Sequence, residues 1–155
     1  MHPPRLHRLP TLFTSWPLYF ITVCTYHRQR LLNTSAIHDA FLAFARSGRE
    51  RGITVGRYVL MPDHAHLFAT FSNGAPSLPI WIKSLKNTIS KELRRQNIPG
   101  PHWQKGYFDH VMRSNESYAQ KWVYVAENPV RAGLVQKAEE WPFQGELFQL
   151  GFPEP

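Results

Sequence analysis

Tyr58-Val59-Leu60-Met61-Pro62-Asp63-His64-Ala65-His66-Leu67-Phe68-Ala69-Thr70 is the stretch on which the reading of the chain turns. Apolar runs on either side of Pro62-Asp63 predict a strand, a tight turn and a second strand. Side chains on a strand alternate between faces, so His64 and His66 point one way while Ala65 and Leu67 point into the other layer. Two imidazoles on one face of a rigid strand are a ready pair of metal ligands. The same spacing also describes two surface histidines, so the pair gains meaning only from what joins it.

Working outward, residues 53–60 form the strand before the turn and residues 64–71 the strand after it. Residues 19–26 are apolar on both faces and predict a central strand. Between these strands, Thr34 or Ser35 caps a helix whose stripe is Ile37, Phe41, Phe44 and Ala45, closed by Gly48 and Gly52. Past a loop at residues 72–77, residues 80–95 read as a second helix. Its buried stripe is Ile82, Leu85, Ile89 and Leu93, with Lys83, Lys86, Ser90 and Arg94 along an exposed side. Residues 102–113 hold a turn and a fourth strand, in which Trp103, Tyr107 and Phe108 serve either as aromatic core or as platforms for bases. Ser114 or Asn115 then caps a third helix over residues 116–128. The order strand-helix-strand-strand-helix-strand-helix predicts an α+β fold with an antiparallel hairpin at its centre.

A chain of 155 residues with 43% hydrophobic and 14% aromatic content is expected to fold as one domain around a real core. The single cysteine, Cys24, cannot form an internal disulfide, which fits a reducing cytoplasm and a packing role. Residues 1–10 lack the apolar segment of a secretory signal, and residues 18–24 are too short to span a bilayer, so no membrane association is expected. The net charge of +7 is uneven: +4 over residues 1–30, +5 over residues 81–113 and −3 over residues 114–155. Clustered positive charge favours a nucleic-acid partner. Arg28, Arg30, Lys83, Lys86, Arg94 and Lys105 are the candidate DNA-binding residues. Only Glu92 offsets five basic residues on the second helix.

A second constellation lies near the C-terminus. Tyr124 and Asn128 stand at i and i+4, neighbours on one helical stripe. A phenol is a poor nucleophile unaided, whereas a divalent cation beside a phosphodiester neutralises charge and aligns in-line attack. Tyr124 as nucleophile, with His64, His66 and Asn128 as metal ligands, makes a chemically coherent site if strand and helix meet. Imidazole ligands by themselves suggest zinc or another transition metal.

Met61-Pro62-Asp63-His64-Ala65-His66, Trp103-Gln104, Phe108-Asp109-His110, Tyr124, residues 128–135 (NPVRAGLV) and Trp141-Pro142 together resemble the REP-associated tyrosine transposases of the HUH single-tyrosine superfamily. The resemblance covers about residues 17–143. It implies a ferredoxin-like α+β fold and Mg²⁺- or Mn²⁺-dependent cutting and rejoining of single-stranded hairpin DNA through a 5′-phosphotyrosine. By the same resemblance Tyr124 is the nucleophile, His64 and His66 are metal ligands, and Asn128 is the third ligand. Ala65 stands where the family pattern has a bulkier hydrophobe, and Asp63 where asparagine is common. The implied organisation is a basic arm at 1–16, the transposase-like domain at 17–143 and a tail at 144–155. The enzyme is expected to act as a monomer or homodimer. Two other readings remain open: a hairpin-DNA-binding module without chemistry, and a metal-dependent phosphodiester hydrolase.

Overall fold

The computed structural model describes residues 11–13 and 17–153. In chain order the strands are β1 (Thr11–Phe13), β2 (Leu18–Cys24), β3 (Ile53–Leu60), β4 (His64–Phe71), β5 (Phe108–Met112), β6 (Gln144–Glu146) and β7 (Gln149–Gly151). The helices are α1 (Ser35–Ser47), α2 (Leu78–Arg95), α3 (Asn115–Ala126) and the single turn α4 (Asn128–Arg131). Five strands pair antiparallel in the order β5-β2-β4-β3-β6, and β1 pairs in parallel with β7 outside that sheet. The α+β architecture predicted from the sequence is the one observed.

Strand alternation divides the sheet into two chemically distinct faces. Ile21 and Val23 of β2 and Ala65, Leu67 and Ala69 of β4 pack against Ile37, Phe41 and Ala45 of α1 and against Trp81, Ile82, Leu85, Ile89 and Leu93 of α2. The opposite face, with Leu18, Phe20, Val59, Phe68 and Met112, packs against Tyr118 and Val125 of α3 and against Trp141 and Leu150. Phe68 is fully buried, with ring centroids 4.7 Å from Tyr118 and 6.4 Å from Trp122. Burial of one such side chain stabilises by about 1.5–3 kcal/mol, so α3 is held down chiefly by this aromatic cluster. A register shift between Val55 and Tyr58 keeps Ile53, Val55, Tyr58 and Leu60 all in the α1/α2 core despite odd spacing. There the backbone of Gly56 runs so close that a Cβ would sit 2.8 Å from the Tyr118 hydroxyl and 3.0 Å from Leu150 Cδ1.

Local signals explain the helix limits. Thr34 Oγ1 accepts from the Ile37 amide at 3.3 Å, and Ser114 and Ser117 form a reciprocal capping box at the start of α3. The sequence reading carried the third helix to residue 128, but it stops at Ala126. Pro129 cannot donate to a continuing helix, so Asn128 begins the separate turn α4.

The structure bears on three further expectations. Residues 144–153, within the expected tail, pack back on the domain. β6 pairs with β3, β7 pairs with β1, and Leu150 is buried, because the apolar residues at 147, 148, 150 and 152 find a core to join. Residues 11–13 of the expected basic arm are strand, and the remainder of 1–16 lies outside the described residues. Ser90 is buried rather than exposed, since its hydroxyl meets His102 Nδ1 at 2.9 Å and accepts from Trp103 Nε1 at 3.0 Å.

Candidate active site

Cross-strand register places Thr22 opposite His66 and Cys24 opposite His64. Thr22 Oγ1 lies 2.8 Å from His66 Nδ1. Asp63 Oδ1 lies 2.8 Å from His64 Nδ1, and Asp63 Oδ2 accepts from Arg28 Nε at 3.0 Å. A carboxylate can only accept, so His64 carries its proton on Nδ1 and keeps its lone pair on Nε2. Arg28 Nη2 also approaches that Nδ1, at 3.5 Å, but the shorter carboxylate contact decides the tautomer. Thr22 is placed to accept from His66 Nδ1 in the same way. The two rings lie 4.7 Å apart at 77°. Orienting one ring nitrogen with an oxygen acceptor while the other faces outward is the usual support for a metal-ligating histidine.

Burial pushes His66 down to about 3, and the positive fields of Lys121, Arg28 and Arg131 act in the same direction alongside His64. Burial also lowers His64, partly offset by the Asp63 carboxylate. Burial alone would raise Asp63, but hydrogen bonds to His64 and Arg28 outweigh it and hold the carboxyl below its ordinary value. Both imidazoles are therefore neutral at pH 7, the form in which histidine ligates.

Tyr124 lies on α3, over the same face of the sheet as the histidines, and is 62% exposed. Aromatic and cationic contacts connect the two. Phe20 stacks on His66 with centroids 5.2 Å apart, and Lys121 Nζ sits 4.8 Å from the Phe20 ring and 5.8 Å from the Tyr124 ring. Arg131 Cζ lies 4.2 Å over the Tyr124 ring, and its Nη2 donates to the Tyr124 carbonyl at 2.7 Å. The same nitrogen donates to Asn128 Oδ1 in a very short bond. The oxygen read from sequence as a metal ligand thus has a guanidinium on it.

The basic residues are dispersed over the fold. Arg28 is tied to Asp63 at the site itself, and Lys105 lines a cleft with Cys24 and Phe108 beside the histidine strand. Arg30 is exposed after the end of β2. Lys83 and Arg94 are exposed on α2, which covers the opposite face of the sheet. Lys86 is bound within the fold, with Nζ donating to the carbonyls of Gln104 at 3.0 Å and Gly106 at 2.6 Å. Of the three aromatic candidates, Trp103 and Tyr107 pack against the core and Phe108 is 64% exposed.

Among the described residues no three His, Cys, Asp or Glu side chains converge as a metal cluster. His64 and His66 together offer two imidazole nitrogens, a pair that suits an ion with open positions rather than a closed structural cage. The sequence reading missed Thr22, Lys121 and Arg131 as site residues. Thr22 is found only through strand register. Lys121 and Arg131 stand at i−3 and i+7 from Tyr124, a spacing that offered a signal.

The chain belongs to the IS200-like transposase family: the model described as Transposase IS200 like matches residues 15–128, a span that holds His64, His66, Tyr124 and Asn128. It is 26% identical over 125 residues to the REP-associated tyrosine transposase of Escherichia coli K12, covering 81% of this chain and 73% of that protein. Its fold is similar to a solved REP-associated tyrosine transposase bound to a REP hairpin, with a TM-score of 0.65 and 23% identity over 90% of this chain and 82% of that one. The family resemblance read from the motifs is borne out.

Proposed function

We propose that this chain cuts and rejoins single-stranded hairpin DNA through a covalent 5′-phosphotyrosine on Tyr124. The observation that carries the reading is a histidine pair with both Nδ1 atoms anchored, on the sheet face covered by the helix of Tyr124. His64, His66 and the Asn128 oxygen would hold Mg²⁺ or Mn²⁺, which when bound neutralises charge at the scissile phosphate. Tyr124 Oη attacks phosphorus, the bond to the 3′ oxygen breaks, and the phenolic proton passes to solvent. The departing 3′ oxygen takes up a proton and leaves as a hydroxyl. In rejoining, a 3′ hydroxyl attacks the phosphotyrosine and the phenol is regenerated, so the bond energy is conserved. Lys121 and Arg131 place positive charge beside the attacking ring, where a phosphate would dock.

A DNA partner is supported by the net charge of +7 and by the hairpin carried by the structurally similar transposase. Among the described residues no helix is long and apolar enough to cross a membrane, and a DNA substrate supports a cytoplasmic reading. Histidines and tyrosine on one face of one chain support a site built within a monomer.

The test is incubation of the purified protein with labelled REP-type hairpin DNA and Mn²⁺, followed by denaturing electrophoresis. The expected result is a denaturation-resistant adduct that Tyr124→Phe abolishes while hairpin retention persists. An adduct surviving in Y124F would reject this nucleophile. Cleavage without any adduct would identify a hydrolase, and retention without cleavage a binding module.

A further inference from the structure

Arg131 lends positive charge beside the attacking ring, but the proposed chemistry gives no part to its hold on Asn128. Its guanidinium meets three features at once: the face of the Tyr124 ring at 4.2 Å, the Tyr124 carbonyl at 2.7 Å, and the Asn128 carboxamide oxygen. α4 is a single turn beginning at Asn128, so Asn128 and Arg131 are three residues apart, neighbours on one side of it. Pro129 and the break at Glu127 fix the entry to this turn. The fork of an arginine suits such a task, because one planar group can accept a ring on its face while its N–H groups reach two oxygens.

This arrangement has a consequence for the third ligand, and it rests on the reading of Asn128 as a metal-binding oxygen. An amide oxygen already accepting a charge-assisted hydrogen bond is a poorer donor to a cation. A guanidinium beside it also repels a second positive charge. We propose that Arg131 is a positioning residue that competes with the divalent metal for the Asn128 oxygen while holding the Tyr124 ring in place. Metal binding in the free protein then requires Arg131 to let go of Asn128. A DNA phosphate, which offers the guanidinium a better bidentate partner, is the ligand class that would draw it away. Metal and DNA are thereby coupled: each binds more tightly once the other is present.

The experiment is titration of Mn²⁺ into the DNA-free protein by calorimetry, for the wild type, Arg131→Ala, Arg131→Lys, Asn128→Ala and the R131A/N128A double variant. Circular dichroism on each variant checks that the fold is kept. R131A is expected to bind Mn²⁺ about three- to tenfold more tightly than wild type, reflecting release of one charge-assisted hydrogen bond, yet to form the hairpin adduct more slowly. The gain should vanish in the N128A background, because the cycle isolates the term that passes through the amide oxygen. R131K keeps the charge without the fork and should fall between wild type and R131A. A merely structural role for Arg131 would weaken metal binding and adduct formation together. Unchanged or weaker Mn²⁺ affinity in R131A, or an equal gain in the N128A background, overturns the proposal. Absence of Mn²⁺ binding in the wild type overturns it together with the metal site beneath it, a result distinct from wild-type binding with an inert R131A.

Discussion

Thr22 and Asp63 show how single residues prepare the histidine pair. Each accepts from or faces an Nδ1, so each ring has one orientation and one outward nitrogen. Removing such a support typically costs 10- to 100-fold in metal affinity. Thr22→Val keeps the shape of the side chain but gives His66 Nδ1 nothing to bond. It is expected to weaken Mn²⁺ binding by about tenfold or more on that principle, measured by calorimetry, while the far-ultraviolet circular dichroism stays unchanged. An affinity equal to wild type would show that His66 does not depend on this hydroxyl. Asp63→Asn should act in the same direction on His64 and also free Arg28 from its ion pair.

At the scale of elements, α3 does two things: it closes one face of the sheet and presents Tyr124. Its first turn depends on the Ser114–Ser117 capping box, and loss of such a cap costs about 1 kcal/mol. Ser114→Ala is therefore expected to lower the free energy of unfolding by about that amount, read from urea titration, and to slow adduct formation. Retention of wild-type stability would mean that packing under Tyr118 and Val125 holds the helix unaided. The β3–β6 pair makes a second element-scale claim. Gln144–Glu146 cover an edge of β3 that would otherwise be open, and Arg57 Nε pairs with Glu146 at 3.0 Å. Deleting residues 144–155 exposes that edge and uncovers the Leu150 contact with the core. The deletion should lower Tm by about 10 °C or more and raise light scattering through edge-to-edge association. A truncated protein that stays monomeric at the wild-type Tm would show that the C-terminal strands are dispensable.

At the scale of the whole molecule, His38, His64 and His66 all hold folded-state values below that of an unfolded histidine, each chiefly through burial. The folded chain then binds fewer protons than the unfolded chain below about pH 6.5, so stability rises with pH and falls as the solution is acidified. His66, pushed to about 3, makes the window run from the unfolded histidine value downward towards that pH. Its share amounts to about 2 kcal/mol lost between pH 7 and pH 5. Asp63, held below its ordinary value, adds a loss of the same sign at lower pH. Urea midpoints measured from pH 7 to pH 4 should therefore decline steadily. A profile flat across that range would contradict neutral, buried imidazoles.

The sequence by itself determined the repeat of two that put His64 and His66 on one face, the helical stripes of α1 and α2, and the order of elements. These are local properties, read from alternation, caps and Gly or Pro punctuation within a few residues. It also carried the motif set that identifies the family. Register and edge pairing were decided only by the tertiary structure, because they link residues far apart in the chain. Thr22 reaches His66 across 44 positions, and Arg57 reaches Glu146 across 89. The C-terminal strands and the burial of Ser90 belong to the same class. Each depends on which surfaces meet once the sheet has closed, and no local pattern of polarity encodes that.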